Sequence, residues 1–138
     1  MPRTLTYLLG AVALVAAGAA ASATDFGALR ADSRVQSELL GASMAYIVDE
    51  QCASIKLRRF KLLTYALSLN SYAKGLGYTG REVEAYVNDP DEQARFRALA
   101  MERLLQKGAE QGDAESFCAV GRTEIENETY VGSILKGG

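Results

Sequence analysis

The spacing of apolar residues is the feature of this chain that most limits its fold. From Asp32 onward, apolar side chains recur every three or four residues in successive segments, which is the period of an amphipathic helix. The first segment contains Val35, Leu39, Leu40, Met44, Ile47 and Val48. No run alternates apolar and polar residues as a half-buried strand does. The pattern therefore predicts an all-α fold, with Asp32 as the N-cap of its first helix.

A second helix is predicted over residues 54–74, and Gly75 and Gly77 are expected to end it. Apolar residues occupy most of the circumference of this helix. A helix of that kind is usually buried on several sides, so it is predicted to be the central helix of the domain.

Capping residues indicate where the later helices begin. Thr79 and Glu82 have the spacing of a capping box. Asp89-Pro90 combines an N-cap with proline at the first helical position, and Asp113 is a further N-cap. A short last helix is expected over 129–135. Together these segments predict a compact bundle of five to six helices.

Two glycine positions require separate interpretation. Gly75–Gly80 matches a dinucleotide-binding pattern, but that pattern binds a cofactor only where a strand turns into a helix. Here it follows a helix, so it is interpreted as a helix end and a turn. Gly121 lies within the fifth helix, where glycine costs roughly 1 kcal/mol relative to alanine. A close helix crossing is therefore expected at Gly121.

The N-terminal segment has the three parts of a secretory signal peptide. One positive charge precedes an uncharged, apolar stretch that ends in Ala21-Ser22-Ala23. Cleavage is predicted between Ala23 and Thr24, which leaves residues 24–138 as a single domain outside the cytoplasm, periplasmic or secreted. An uncleaved anchor is the alternative, but a spanning helix needs about 20 apolar residues. Residues 5–21 are fewer, so no integral membrane segment is expected after cleavage.

Charge and composition exclude several classes of function. The domain after the signal segment has 14 basic and 17 acidic residues, a formal net charge of −3. Nucleic acid is not expected as a partner, because phosphate binding needs a basic field, and adhesion to anionic lipid is not indicated either. The chain has no histidine, which removes the common nucleophile pairs and zinc sites. No catalytic residue, metal site, cofactor or small-molecule ligand is predicted.

The chain contains two cysteines, Cys52 and Cys118. An even number of cysteines in an exported protein indicates a disulfide, and here the bond would close a loop of more than 60 residues. The alternative is two reduced thiols in the core.

One short segment concentrates positive charge. Its basic residues are Lys56, Arg58, Arg59 and Lys61. If the segment is helical, Arg58 and Lys61 point to one side and Lys56 and Arg59 to another. An anionic partner is one interpretation of this possible binding surface. The other is solvated charges that pair with nearby acids such as Asp49 and Glu50.

The two cysteine-containing segments belong to a wider pattern. The pattern comprises Cys52-Ala53-Ser54-Ile55, Leu76-Gly77-Tyr78, Glu82, Ala85-Tyr86-Val87, Ser116-Phe117-Cys118-Ala119-Val120-Gly121-Arg122, Glu124-Ile125, Gly132 and Leu135. In these residues the chain resembles an exported bacterial family known as domain of unknown function 5333. The resemblance covers nearly all of residues 24–138. It implies a periplasmic helical domain with the two cysteines paired, and it implies no activity, ligand or partner.

Three functions are compatible with these observations. The first is a non-catalytic binding or accessory protein for another envelope protein or complex, with a protein as its partner. The second is a small periplasmic stress or acid chaperone, which would expose apolar helix faces as its carboxylates become protonated. The third is an enzyme that uses carboxylates only. Glu124, Glu126 and Glu128 are a candidate for the third, although only Glu124 and Glu128 would share a helix face.

Overall fold

The computed structural model describes residues 23–137. Within them are seven helices and two short strands. In chain order they are α1 (Gly27–Ala31), α2 (Ser33–Gln51), β1 (Ile55–Leu57), α3 (Arg59–Gly75), α4 (Gly80–Val87), α5 (Pro90–Gln106), α6 (Ala114–Glu126), α7 (Tyr130–Ser133) and β2 (Leu135–Gly137). The predicted all-α fold is confirmed. The six predicted helices correspond to α2–α7, and α1 is an additional short helix.

The predicted signal peptide, residues 1–23, lies outside the described residues except for Ala23. Its cleavage before Thr24 therefore stays a prediction. Among the helices that the structure describes, none has the length and apolar character required to cross a membrane.

The capping residues lie where the sequence predicts them. The Asp32 carboxylate accepts a hydrogen bond from the Val35 N–H at 2.9 Å. Thr79 and Glu82 form the complete capping box at the start of α4, and Asp89 caps α5 ahead of Pro90. The start of α3 is different. It begins at Arg59, and its N-cap, Arg58, makes no side-chain cap hydrogen bond.

The central helix is α2, and the prediction that α3 has this position is wrong. Helix α2 packs against α1, α3, α5, α6, α7 and β1. Helix α3 packs mainly against α4 and α2, and only Leu69 and Ala73 of α3 are buried. Leu62, Tyr65 and Tyr72 are partly buried against the two apolar clusters, whereas Phe60, Leu63 and Leu67 are exposed. Periodicity shows that a helix face is apolar but does not show what covers it.

A two-stranded antiparallel sheet closes one end of the bundle. Ile55 pairs with Gly137, Lys56 with Lys136, and Leu57 with Leu135. The predicted start of the second helix at Ser54 is wrong, since Ile55–Leu57 form β1 and α3 begins at Arg59. Three residues are too few to show a two-residue period in the sequence. Ile55 and Leu57 are buried while Lys56 is exposed. Burial therefore alternates along β1 as it does in a half-buried strand.

The disulfide between Cys52 and Cys118 is confirmed. It joins the C-cap of α2 to the first half of α6, with the Cα atoms 5.2 Å apart. Both cysteines are buried in the larger of two apolar clusters, with Val48, Ile55 and Phe117. The smaller cluster lies at the other end of α2 and is formed by Leu29, Val35, Leu69, Ala73, Val83, Tyr86 and Phe96.

Candidate binding surfaces

Within residues 23–137, no group of three or more His, Cys, Asp or Glu side chains could hold a metal ion. Gly75–Gly80 joins α3 to α4, and Gly77 has a φ of 101°. This is the left-handed conformation that glycine adopts readily, so the interpretation of the segment as a helix end and turn is confirmed. Glu126 and Glu128 are exposed, whereas Glu124 is buried.

Two carboxylates are buried among the described residues, and both are paired with cations. Glu92 is 6% exposed. It forms an ion pair with Arg30 of α1 and accepts hydrogen bonds from Arg95 at 3.0 Å. Burial raises the pKa of Glu92, but the hydrogen bonds from Arg30 and Arg95 outweigh it and leave that pKa below its usual value. Glu92 is therefore ionised in the folded protein, and its ion pair with Arg30 links α5 to α1.

Glu124 is 4% exposed at the end of α6. Its carboxylate accepts a hydrogen bond from the Thr129 hydroxyl and lies 2.7 Å from Nζ of Lys107. The pair joins the end of α5 to the turn between α6 and α7. Because neighbours within the fold pair with both buried carboxylates, we interpret these contacts as structural ion pairs. No local pattern distinguishes Glu92 and Glu124 from the other acidic residues among the 17 of the sequence.

The four predicted basic residues lie at the junction of β1 and α3. Lys56 is in β1 and Arg58 is the N-cap of α3, so helical spacing applies only to Arg59 and Lys61. Lys56 is in β1, where its Nζ donates to the Asp49 carbonyl at 2.9 Å and lies 3.8 Å from the Asp49 carboxylate. The predicted pairing with Asp49 is thus confirmed. Glu50 instead pairs with Arg97 on α5, at 2.6 Å.

The other three basic residues line one shallow depression. Arg58 donates to the Ser133 carbonyl at 3.2 Å, and the Lys61 ammonium lies 5.6 Å from the centre of the Tyr65 ring. The depression is lined by Arg58, Arg59, Phe60, Lys61, Thr64 and Lys136 and has a volume of about 460 Å³. Sequence reasoning missed Lys136, because only the pairing of β2 with β1 brings it beside this segment.

The outer face of α3 carries three large apolar side chains that no other part of residues 23–137 covers. Phe60 is 89% exposed, Leu63 55% and Leu67 59%. Their spacing of three and four residues places them along one side of the helix. That side is opposite Leu69, which packs into the bundle. We refer to Phe60, Leu63 and Leu67 as the α3 outer stripe.

A second apolar surface consists of two adjoining depressions beside one face of α2. One part of it, of about 370 Å³, lies between α3 and α4 and is lined by Leu39, Ala66, Leu69, Asn70, Gly80, Val83, Glu84 and Val87. The other part, of about 400 Å³, lies between α2 and α5 and is lined by Leu39, Ala42, Ser43, Tyr46, Glu50, Val87, Gln93, Phe96 and Arg97. Leu39 and Val87 line both parts. We refer to the whole as the α2 groove.

The α2 groove has an apolar floor and polar ends. Val83 and Phe96 are buried beneath it, and Tyr46 stands at its edge with 45% of its surface exposed. The Glu50–Arg97 ion pair lies at one end, and Asn70 lies at the other. Such a surface can accept apolar side chains and orient the segment that carries them. Sequence reasoning did not identify it, because its residues come from four helices.

No match to the chain was found among the curated proteins or among the solved structures. The model of one protein family, described as "Family of unknown function (DUF5333)", matches residues 27–136. This range includes every described helix, the disulfide and both apolar surfaces. The chain therefore belongs to the family of unknown function DUF5333.

Proposed function

We propose that this protein is an exported, non-catalytic accessory protein, and that it binds an apolar segment of another envelope protein in the α2 groove. The observation that carries the proposal is the groove itself. Its two parts adjoin at Leu39 and Val87, which line both, and the lining of each part is largely apolar. Apolar surface of this kind in an open groove is a common mark of a protein interaction site.

The shape of the groove favours a helical or extended peptide segment over a compact ligand. It is open to solvent, follows one face of α2 beside α5, and continues between α3 and α4. An amphipathic helix in a groove places its apolar side chains at intervals of three and four residues. The two parts of the α2 groove offer separate positions for such side chains. The Glu50–Arg97 pair would contribute orientation at the rim.

Two features support a site of action outside the cytoplasm. Residues 1–23 have the composition and order of a secretory signal peptide. The Cys52–Cys118 disulfide belongs to an oxidising compartment, because cytosolic thiols are kept reduced. A periplasmic location follows as part of the same proposal.

The test is photo-crosslinking in the cells that produce the protein. A photoreactive amino acid replaces Tyr46 at the groove edge, and in a separate strain it replaces Arg122, which is exposed on α6 outside the groove. One abundant adduct with a single envelope protein is expected from position 46 only. The substitution Ala66→Gln, which fills the groove from the wall of α3, is expected to remove that adduct.

The matched control is Ala98→Gln, an equally small exposed residue on α5 that does not line the groove. It is expected to leave the adduct unchanged. Equal adducts from positions 46 and 122 would overturn the proposal. A wide set of adducts that increases after acid treatment would favour the chaperone instead.

A further inference from the structure

We propose that the outer face of α3 docks this protein on an anionic phospholipid bilayer, with Phe60 entering the lipid interface. This inference goes beyond the binding of a protein segment in the α2 groove, and it rests on a different part of the surface. It depends on the α3 outer stripe and on the basic residues that surround the start of α3.

The α3 outer stripe has the form of an interfacial membrane contact. Phe60 is the most exposed large apolar side chain of the described residues, followed by Leu67 and Leu63. All three lie on the helix side opposite Leu69. A helix that lies in the plane of a membrane buries such a side in the boundary between headgroups and acyl chains. Phe60 stands out from the surface, so a flat bilayer can take it up without a complementary pocket.

The charges on and around α3 match an anionic surface. Residues 59–75 contain Arg59, Lys61 and Lys74 and no acidic residue. At 100° per residue, Arg59 borders the α3 outer stripe on one side, whereas Lys61 lies on the other side, half-buried over the Tyr65 ring. This arrangement places cations at the level of the headgroups while the stripe faces the acyl chains.

The sheet adds further positive charge at the same end of α3. Lys56 and Lys136 are directly paired across β1 and β2, and both are exposed. Like charges opposite each other disfavour pairing, and an anionic surface would relieve that repulsion. Two acids lie nearby: Asp49 contacts Lys56, and Glu128 lines a second depression with Arg58 and Lys61.

The net charge of the chain does not predict this surface. The whole sequence has a formal net charge of −2, which argues against adhesion to anionic lipid through overall charge. The fold changes the argument, because it collects Arg58, Arg59, Lys61 and Lys136 around the base of Phe60. Each lysine or arginine close to an anionic membrane strengthens binding by about fivefold. Several such residues and one inserted aromatic side chain are sufficient for reversible docking.

The test uses protein purified from cells that express the full chain and vesicles of two compositions. One set contains phosphatidylcholine only, and the other contains phosphatidylcholine with about 30% phosphatidylglycerol, which gives the vesicles a negative surface potential. Co-sedimentation is measured at low and at high salt. At least tenfold tighter binding to the anionic vesicles is expected, and high salt should weaken it because it screens exposed charges.

Two variants separate the apolar and the charged contributions. Phe60→Ser is expected to weaken binding to the anionic vesicles about tenfold, because it removes the inserted side chain. The double substitution Arg59→Glu with Lys61→Glu is expected to abolish the preference for anionic lipid. The matched control is Leu105→Ser on α5, where Leu105 is 39% exposed, and it should bind as the unmodified protein does. Far-ultraviolet circular dichroism verifies that each variant is folded.

Several outcomes overturn the inference. They are equal binding to both vesicle types, no binding to either, and binding that Phe60→Ser leaves unchanged. An in-cell photo-crosslink from position 63 to one protein would also overturn it, since the α3 outer stripe would then be a protein interface. The Ala66→Gln variant is expected to keep full vesicle binding. Failure of the lipid inference is thus distinguishable from failure of the proposal for the α2 groove.

Discussion

The backbone of Gly132 lies directly against the backbone of Glu124. A Cβ atom added at residue 132 would overlap the carbonyl carbon and oxygen of Glu124, and it would lie 2.7 Å from the nitrogen of Ile125. Gly132 belongs to α7 and Glu124 to the end of α6. The contact thus sets how closely the short helix α7 folds back on α6, and it allows Ile134 and Leu135 to enter the larger apolar cluster.

The substitution Gly132→Ala is expected to destabilise the protein by about 3 kcal/mol or more. The atoms that the new methyl group meets are backbone atoms of a buried helix end, which cannot move aside without displacing α7. Urea unfolding followed by circular dichroism measures the loss. Gly75→Ala is the control, because nothing lies within 4 Å of its Cβ position. Similar unfolding midpoints for the two variants would contradict the backbone contact.

The substitution Gly121→Ala is expected to cost less, at most about 2 kcal/mol. Its Cβ atom would lie 2.7 Å from Cδ1 of Ile55 and 2.8 Å from Cγ1 of Val48. These are side-chain ends that can shift, and the helix gains about 1 kcal/mol from alanine. In an Ile55→Val background, which removes that Cδ1 atom, the cost should decrease further. Urea unfolding of the unmodified protein, the two single variants and the double variant tests this in a double-mutant cycle. Strict additivity would argue against the contact.

Much of the local structure could be predicted from the sequence, because the signals for it are local. Asp32, Thr79 with Glu82, and Asp89 with Pro90 mark helix starts through groups within three residues of each other. Gly121 also indicated the close approach that the structure shows with α2 and β1. The pairing of Cys52 with Cys118 followed from the number of cysteines and the expected compartment, and did not require knowledge of the fold.

The position of α3 could not be predicted, because it depends on which apolar face finds a partner. Leu69 and Phe60 are both apolar and lie on opposite sides of α3, yet only Leu69 meets α4 and the first part of α2. The basic depression could be predicted only in part, because Lys136 joins Arg58, Arg59 and Lys61 through the tertiary fold. Lys136 lies 75 positions after Lys61 in the sequence and reaches the same depression only through the pairing of β1 with β2.

Removal of the disulfide by Cys52→Ala with Cys118→Ala is expected to lower the free energy of unfolding by roughly 4 kcal/mol. The bond closes a loop with a sequence separation of 66, and it restricts the unfolded chain accordingly. Urea unfolding of the double variant should give the same midpoint as the unmodified protein in reductant. If reduction leaves the midpoint of the unmodified protein unchanged, the bond does not contribute to stability in this way.

The substitution Glu92→Gln is expected to destabilise the protein by about 2 kcal/mol at pH 7, because it leaves Arg30 and Arg95 without their shared anion. The arginines are partly exposed, so the cost should lie below that of a fully buried pair. Glu50→Gln is the matched control, since Glu50 and Arg97 are both about half exposed, and its expected cost is below about 1 kcal/mol. Equal losses in urea unfolding would show that the burial of Glu92 has no energetic consequence.

The stabilisation from Glu92 should also depend on pH with a definite sign. The pKa of Glu92 is lower in the folded protein than its ordinary value of 4.5, so the folded state binds this proton less readily than the unfolded chain does. The contribution is therefore fully present above about pH 5 and decreases as pH falls through the folded pKa. Urea unfolding from pH 7 to pH 3 should show the Glu92→Gln variant approaching the unmodified protein in stability only at the acidic end. A difference that is constant over the whole range would mean that the carboxylate is not held as an anion by Arg30 and Arg95.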